Sequence, residues 1–415
     1  MRHHAFVGHD CLVTNNSELL AQLERIAQRD EVVQAWVSRH PDAALIEAFA
    51  TAPEGPLSGW TLGVKDVIDT SDLPTERGSP IYSGNQPVSD AACVSIARDA
   101  GAVVIGKTVT TEFALFTPNI TTNPHDPSRT PGGSSSGSAA AVADGQVRTA
   151  FGTQTVGSVI RPAAFCGVVG FKPTYDLIPL AGVATLSHAL DTLGWFTNNV
   201  EDASTMFSVL TGAKTNQQLS RGRVGRYQSH QWDASALETR SLLDSSCGSL
   251  AAQGVEIVDL QPLSHLEQVF EAANTVLHYE IVRVFAWERS NHLGLISDLV
   301  QKMLLNGDKV SHEEYQSAQA VLSTARHAHA EFMAANELDA LLTPSAPGEA
   351  PPIATTGDSV FNRVWTALGV PSIHLPLKQG PSGLPIGIQL VGESLCDGRL
   401  LATAALAESA FASSP

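Results

Sequence analysis

The chain has 415 residues, 43% of them hydrophobic and 16% charged, which fits a globular protein and excludes a disordered chain. Acidic residues outnumber basic ones, 42 against 25, so the net charge is −17 at pH 7. This charge disfavours nucleic acid and anionic membranes as main partners. No apolar run approaches the ~18 residues of a membrane-spanning helix, and the N-terminus lacks the apolar core of a signal peptide. The sequence therefore predicts a cytoplasmic protein that does not bind membranes.

The residues that commonly bind metals show no ligand pattern. The five cysteines are scattered and form no CxxC pair, which indicates free thiols in a reducing compartment. The fourteen histidines include His327 and His329, but no HExxH motif occurs. We therefore expect no metal site.

Apolar spacing predicts helices and buried strands that alternate along the chain. Helices are predicted at residues 16–28, 30–50, 90–100 and 398–410, strands at 61–70, 102–106, 339–347 and 385–392, and a helix-rich region at 229–336. This order indicates an α/β layer architecture. No internal repeat or clean linker is present, so we expect a single domain over residues 1–415.

Lys65 stands inside the apolar strand predicted at residues 61–70. Burial lowers the pKa of a lysine, and a shift from about 10.4 to near 7 costs about 4 kcal/mol. A neutral lysine accepts protons, which makes Lys65 a candidate base. The alternative is structural: Lys65 would pair with Asp66 or Asp69, or extend to the surface.

Residues 130–174 are dense in glycine, serine, alanine and threonine, yet they contain apolar runs that flexible linkers lack. The string GGSSSGS (132–138) precedes an alanine run that predicts the start of a helix. No lysine follows as it would in a Walker phosphate loop, so that interpretation is disfavoured. We expect Ser136 and Ser138 to cap the helix. Further on, Ser158 follows a tight glycine turn, where backbone N–H groups can hold an oxyanion, each stabilising it by roughly 3–4 kcal/mol.

Several strings together resemble the amidase signature family. They are GVKD (63–66), GAVVIGKTVTTEFA (101–114), NPHDPSRTPGGSSSGSAAAV (123–142), FCGVVGFKPT (165–174) and GLPIGIQLVG (383–392). The resemblance implies a central mixed β-sheet covered by helices on both faces (α/β/α). It also implies a core at about 55–200 and 338–411, with a variable, helix-rich middle at about 210–335.

The family's hydrolases use a Ser–cis-Ser–Lys triad. Ser158 lies 24 positions after Ser134, which is the family's spacing. The resemblance therefore implies that Ser158 is the nucleophile, that Ser134 on a cis peptide bond relays the proton, and that Lys65 is the base. The implied oxyanion hole consists of the backbone N–H groups of Thr155, Val156, Gly157 and Ser158. This chemistry requires no metal and no organic cofactor.

Three positions depart from the family pattern around the nucleophile. Gln154 replaces an aspartate, Val156 replaces a glycine, and Arg161 stands three residues after Ser158 instead of two. Because a β-branched residue fits positive φ poorly, we expect an ordinary backbone conformation at Val156. We also hypothesise that the loss of the carboxylate and the displacement of the arginine are coupled.

The resemblance implies a hydrolase that cleaves a carboxylic amide, or a carbamate or urea-type bond as a urethanase does, through an acyl-Ser158 intermediate. Its partner would be a small-molecule substrate, with a homodimer as one expected state. The alternatives are a glutaminase-type subunit of a tRNA-dependent amidotransferase and a binding protein that has lost activity. No charged residue stands out as a substrate clamp. The substrate-pocket candidates, each of which also fits ordinary packing, are Phe116, Ser135, Gln154, Phe361 and Trp365.

Overall fold

A single mixed β-sheet organises the computed structural model, which describes residues 9–213 and 222–412. Within these ranges eleven strands pair in the order β1-β3-β2-β4-β6-β5-β10-β11-β9-β7-β8. The strands are β1 (Trp36–Arg39), β2 (Thr61–Lys65), β3 (Val103–Thr108), β4 (Thr149–Gln154), β5 (Val169–Lys172), β6 (Thr192–Thr197), β7 (Arg223–Tyr227), β8 (Glu256–Leu260), β9 (Ala340–Pro344), β10 (Ser372–Gln379) and β11 (Pro385–Val391).

Parallel and antiparallel pairs both occur in this sheet. β2 is parallel to β3 and β4, and β7 is parallel to β8 and β9. The remaining pairs, including β4 with β6 and β10 with β11, are antiparallel. Because β2 and β4 run side by side in the same direction, their carboxyl ends meet at one edge of the sheet.

Helices cover both faces of the sheet. They are α1 (His9–Val33), α2 (Asp42–Thr51), α3 (Ala92–Asp99), α4 (Ser136–Ala143), α5 (Ile160–Cys166), α6 (Val200–Thr211), α7 (Leu237–Ala252), α8 (Val269–Val284), α9 (Ala286–His292), α10 (Asp298–Gly307), α11 (His312–Ala335), α12 (Arg363–Leu368) and α13 (Asp397–Ala412). Trp195 and Phe196 are neighbours on β6, so they point to opposite faces, and each is buried in a different hydrophobic cluster. The predicted α/β/α architecture is confirmed.

The predicted helix at residues 30–50 is wrong over its first half. α1 continues to Val33, the chain turns at Gln34 with φ of 53°, and β1 then pairs antiparallel with β3. The side chain of Asp30 accepts a hydrogen bond from the N–H of Ala35 at 2.7 Å and holds this turn. Only α2 remains of the predicted helix. The strand forms because its hydrogen-bonding partner lies about seventy residues away, which local spacing does not reveal.

The helix-rich middle expected at about 210–335 contains two strands. β7 and β8 extend the sheet beyond β9, while α8 to α11 pack together beside it. In the described ranges no helix combines the length and the apolar character needed to cross a membrane. The four cysteines whose side chains are described, Cys93, Cys166, Cys247 and Cys396, are free thiols.

His329 on α11 is the basis of a prediction for acid stability. Its side chain is 1% exposed, and neither ring nitrogen has a hydrogen-bond partner among the described residues. Burial, together with the neighbouring His265 ring 5.8 Å away, lowers the pKa of His329 from 6.5 to about 3. Below pH 6.5 the unfolded chain therefore binds a proton that the folded chain does not, and the free energy of unfolding falls as the pH decreases towards 3.

Replacing His329 by leucine (H329L) is expected to remove this acid-induced decrease in the free energy of unfolding. Between pH 6 and pH 4 the wild type should lose about 2 kcal/mol more unfolding free energy than the variant, as measured by urea denaturation. The matched control is H327L, because His327 is exposed on the same helix. Equal pH slopes for H329L and the wild type would show that His329 does not cause the acid sensitivity.

Candidate active site

Lys65 is the last residue of β2 and lies beside the end of β4. Its side chain is 0% exposed. The Nζ atom donates hydrogen bonds to Oγ of Ser134 at 2.7 Å and to Oγ1 of Thr153 at 2.8 Å. The side chain of Lys65 therefore points at the hydroxyl of Ser134 in the glycine- and serine-rich loop. The parallel pairing of β2 with β4 places the lysine beside Thr153.

Burial sets the protonation state of Lys65. It lowers the pKa of the amine from 10.5 to about 7, an effect that the charge of Asp191 partly opposes and that of Arg161 reinforces. A neutral amine is thus available near physiological pH. The structural alternative is contradicted, because Asp66 faces the Nζ atom of Lys107 at 3.6 Å and Lys65 bonds to hydroxyls instead.

Ser134 follows a cis peptide bond with Gly133, which confirms that expectation. The next residues begin α4 but do not cap it as predicted. Ser136 donates to the carbonyl of Val109 at 3.3 Å, and Ser138 donates to the carbonyl of Phe151 at 2.8 Å. Their hydroxyls satisfy carbonyl groups beside the helix because α4 is packed tightly against β2, β3 and β4.

Ser135, one of the pocket candidates, has a comparable structural position. It is completely buried, donates to the carbonyl of Thr153 and accepts from the N–H of the same residue, both at 3.3 Å. These bonds fix the loop of Ser134 to the end of β4. Ser135 therefore stabilises the loop that carries Ser134 and does not line a cavity.

Ser158 lies in the turn between β4 and α5. Its side chain is 7% exposed. The N–H groups of Val156, Gly157 and Ser158 have no acceptor in the described chain. Three adjacent N–H donors without acceptors, beside a serine hydroxyl, are what an oxyanion hole requires.

The loops of Ser134 and Ser158 are in contact. Nη2 of Arg161 donates to the carbonyl of Gly133 at 2.6 Å. A Cβ atom on Gly132, whose φ is 85°, would lie 2.7 Å from Cα of Pro162. Because only glycine tolerates both this φ and this approach, the sequence GGS allows the two loops to meet.

Val156 is not among the described residues with positive φ. Its backbone therefore has the ordinary conformation expected for a β-branched residue. Its side chain packs in the same hydrophobic cluster as Phe113 and Leu186. Its carbonyl accepts a hydrogen bond from Oγ1 of Thr366 at 3.2 Å. The departure from glycine is therefore accommodated by packing from neighbouring segments.

Gln154 organises the turn and does not face a cavity. Its Oε1 atom accepts from the N–H groups of Val159 and Ile160 at 2.8 and 3.0 Å, and its Nε2 atom donates to Thr366 at 2.8 Å. The amide oxygen thus takes the place at the start of α5 that a carboxylate oxygen can also occupy. This pocket candidate supports the loop of Ser158.

Replacing Gln154 by alanine (Q154A) is expected to destabilise the protein by about 2 kcal/mol, because two buried N–H groups lose their acceptor. Urea denaturation measures the change. The matched variant is Q154E, which keeps an acceptor oxygen and should be more stable than Q154A. If Q154A unfolds at the same urea concentration as the wild type, the supporting role of Gln154 is wrong.

Asp191 is a residue near the site that the sequence did not indicate. Its carboxylate accepts from Oγ1 of Thr155 at 2.6 Å and from the N–H groups of Leu186 and Ser187 at 2.7 and 2.9 Å. Burial raises the pKa of Asp191 to about 6. No spacing rule connects this aspartate to Lys65, because β6 brings it beside β4 only in the folded sheet.

Arg161 is 1% exposed and binds backbone carbonyls. Besides Gly133, it donates from Nη1 to the carbonyl of Gly357 at 3.0 Å. It has no carboxylate within ion-pair distance in the described ranges, and Gln154 is buried rather than exposed to solvent. The proposed coupling of the two departures would fail if Arg161 were ion-paired and Gln154 exposed; neither is observed, so it stays a hypothesis.

A cavity of about 510 Å³ opens beside these loops. Its wall includes Phe116, whose ring centre lies 5.9 Å from the guanidinium carbon of Arg161. The other two aromatic candidates do not line it. Phe361 is buried, and Trp365 packs edge-on against Tyr227 with ring centres 5.6 Å apart. Both belong to the core.

In the described part of the chain, no three or more side chains of His, Cys, Asp or Glu are placed to hold a metal ion. The site consists instead of a buried amine, two hydroxyls and a row of N–H donors. Such a set can move a proton from a serine, let that serine attack a carbonyl carbon, and stabilise the charge that develops on the carbonyl oxygen.

The fold and this site define a class of α/β proteins with a lysine–serine centre at the edge of the sheet. The sequence pattern of the Amidase family matches residues 18–401. The chain belongs to the amidase signature family, and it is a C–N hydrolase of that family.

Known relatives agree with this assignment. The chain is 31% identical to a chloroplastic/mitochondrial glutamyl-tRNA(Gln) amidotransferase subunit of Sorghum bicolor, over 84% of this chain and 75% of the relative. A solved amidase structure is 30% identical, with a TM-score of 0.86 over 96% and 98% of the two chains. The native peptide amidase of Stenotrophomonas maltophilia is 27% identical, with a TM-score of 0.80 over 97% and 94%.

Proposed function

We propose that the protein hydrolyses carboxylic amides, or related C–N acyl bonds of small molecules, through an acyl-Ser158 intermediate. The observation that carries this proposal is the 2.7 Å hydrogen bond between Nζ of Lys65 and Oγ of Ser134. The amine is completely buried and has a pKa of about 7, so it is suited to accept a proton near neutral pH.

The reaction follows from these positions. Neutral Lys65 removes the proton of Ser134, which in turn takes the proton of Ser158 as its oxygen attacks the carbonyl carbon. The N–H groups beside Ser158 hold the oxyanion. The proton then returns to the leaving amine, and water repeats the sequence to release the acid. The carbonyl of a carbamate or a urea fits the same steps, and no metal or organic cofactor takes part.

The purified protein tests this proposal with a panel of amides, carbamates and ureas, assayed for release of ammonia or amine. A fluorophosphonate probe should label Ser158 and no other serine. The proposal is contradicted if no compound of the panel is cleaved and the probe leaves Ser158 unmodified. The predicted cytoplasmic location and the homodimer belong to the same proposal, and fractionation and light scattering test them.

A second function is favoured by the curated relatives. They carry the names of amidotransferase subunits, and this likeness supports a glutaminase-type subunit more directly than it supports a self-sufficient amidase. The names of the plant relatives also place them in chloroplasts or mitochondria. Under this function the isolated protein would release little ammonia from glutamine, and partner subunits of a relative would stimulate it strongly. Full amidase activity of the isolated protein would favour the first function, hydrolysis of small-molecule amides without partner subunits.

A further inference from the structure

A second cavity, of about 280 Å³, shares none of its described lining residues with the cavity beside Ser158. Its wall is mostly apolar and contains one basic and one acidic side chain. Apolar walls with a few polar groups are typical of small-molecule sites. We call it the Arg77 cavity, and it is lined by Val67, Arg77, Phe113, Val183, Ala184, Thr185, Val284, Phe285 and Glu288.

The Arg77 cavity borders segments that carry the catalytic groups. The N–H of Val67 donates to the carbonyl of Lys65 at 2.8 Å, and the N–H of Ala184 donates to the carbonyl of Val67 at 2.8 Å. Phe113 packs in the same hydrophobic cluster as Val156. A ligand in this cavity would therefore contact residues next to the base and next to the turn of Ser158.

The half-buried side chain of Arg77 is held in place but has no counter-ion. Its guanidinium carbon lies 4.2 Å from the ring centre of Tyr82. No carboxylate of the described residues lies within 4 Å of it. Its Nε atom is buried and has no hydrogen-bond partner in the described ranges. A buried N–H donor without an acceptor is costly, and an anion in the cavity would supply the missing acceptor.

The backbone around Arg77 is fixed in an unusual conformation. Its φ is 57°, in the left-handed region that non-glycine residues rarely adopt. Its carbonyl accepts from the N–H of Phe113 at 2.9 Å, and the φ of Phe113 is 52°. A Cβ atom on Gly78 would lie 2.9 Å from the carbonyl oxygen of Thr110. Such conformations persist where the surrounding structure enforces them, and they cluster at functional sites.

The carboxylates near Arg77 accept hydrogen bonds from other donors. Glu288 is 5% exposed and accepts from the hydroxyl of Tyr82. Burial and this hydrogen bond raise the pKa of Tyr82 to about 12, so the phenol remains a donor. Oε1 of Glu76 accepts from the N–H of Gly84 at 2.7 Å. The guanidinium group of Arg77 is therefore left to interact with a ligand.

We propose that the Arg77 cavity is a second binding site, which takes the carboxylate of a small apolar acid. Arg77 binds the carboxylate, because guanidinium groups form charge-assisted, paired hydrogen bonds with such anions. The rings of Phe113 and Phe285, whose centres lie 4.9 Å apart, contact the apolar body of the acid. The inference does not depend on the proposed hydrolysis, since no residue of this cavity takes part in that reaction.

Calorimetry with the purified protein tests this site. The probes are phenylacetate and 2-phenylethanol, which have similar shapes but differ in charge. We expect phenylacetate to bind at least about tenfold more tightly, the effect of one charged hydrogen bond. Equal affinities of the two probes, or no binding of phenylacetate, would overturn the inference.

Variants locate the bound acid. Arg77→Gln removes the charge and should abolish the preference for phenylacetate, whereas Arg77→Lys should keep part of it. The matched control is Arg363→Gln, because Arg363 lines the other cavity, lies 4.5 Å from the ring centre of Phe270 and also has a buried Nε without a partner in the described chain. A preference lost in the Arg363 variant and kept in Arg77→Gln would place the acid in the other cavity and contradict the proposal.

Filling the Arg77 cavity gives an independent measurement that leaves the charge of Arg77 in place. Ala184→Phe should weaken phenylacetate binding at least about tenfold, because the larger side chain occupies the space of the ligand. Urea denaturation verifies that this variant and Arg77→Gln are folded. Unchanged affinity in a folded Ala184→Phe variant would show that the acid binds elsewhere.

Inhibition kinetics distinguishes two sources of the carboxylate, with any amide that the protein cleaves. Competitive inhibition by phenylacetate that disappears in Arg77→Gln supports an acidic portion of the substrate as the occupant. A change in kcat that disappears in the same variant supports a separate acid as an effector. If no amide is cleaved, a preference for phenylacetate in calorimetry still supports the site, and only the proposed hydrolysis is contradicted.

Discussion

Ser158→Ala is expected to lower kcat/KM by about 10⁴-fold or more, the size of effect seen when a serine nucleophile is removed from a concerted set. The reason is that the hydroxyl of Ser158 belongs to the same turn as the N–H groups of Val156 and Gly157, which have no backbone acceptor in the described chain. Initial rates with a cleavable amide, measured over a wide range of enzyme concentration, give the value.

Ser136→Ala is the matched control for this experiment. Ser136 lies two residues after Ser134, at the start of α4, and its hydroxyl donates a 3.3 Å hydrogen bond to the carbonyl of Val109. Its variant should keep activity close to that of the wild type and should still be labelled at Ser158 by a fluorophosphonate. Substantial turnover by the Ser158 variant would show that another residue carries the acyl group.

Lys65→Met is the second change with a large expected effect. Loss of the base should lower kcat/KM by about 10²- to 10⁴-fold. In the wild type, kcat/KM should rise with pH through about 7 and then level off, because the amine must be neutral to accept a proton. The variant should lose this titration. Rates measured from pH 5.5 to 9 in buffers of constant ionic strength test both statements.

The same variant is expected to gain stability in a pH-dependent way. The folded protein binds a proton at Lys65 only below about pH 7, whereas an unfolded lysine binds one up to about pH 10.5. Burial of the lysine therefore destabilises the fold most below pH 7, and this cost disappears as the pH rises towards 10.5. Lys65→Met should be more stable than the wild type at pH 6 by roughly 2–4 kcal/mol, with a smaller gain at pH 9.5.

Lys302→Met provides the comparison for these measurements, since Lys302 is exposed on α10. It should change neither the pH profile nor the pH dependence of unfolding. A wild-type profile that is flat between pH 6 and 8 would contradict the assignment of Lys65 as the base.

The parts of the site that local sequence predicts are those with local causes. Lys65 was a candidate base because an apolar strand surrounds it. The roles of Ser134 and Ser158 and the mixed sheet were implied by the family resemblance, whose strings extend from residue 63 to residue 392.

The parts that the sequence did not predict depend on distant contacts. Arg161 and Arg363 line one cavity although about two hundred positions separate them in the sequence. Likewise, Asp191 reaches Thr155 through the pairing of β4 with β6. Local periodicity contains no information on such pairings.

The pairing of β7 with β9 has a consequence for how such a protein diversifies. The chain leaves the sheet after β7 and returns at β9, and the two strands are hydrogen-bonded neighbours. Everything between them, including α8 to α11, is therefore a unit whose ends are already adjacent. Recombination or grafting of this unit between relatives can alter the helices beside the sheet while β2, β4 and the buried amine keep their positions.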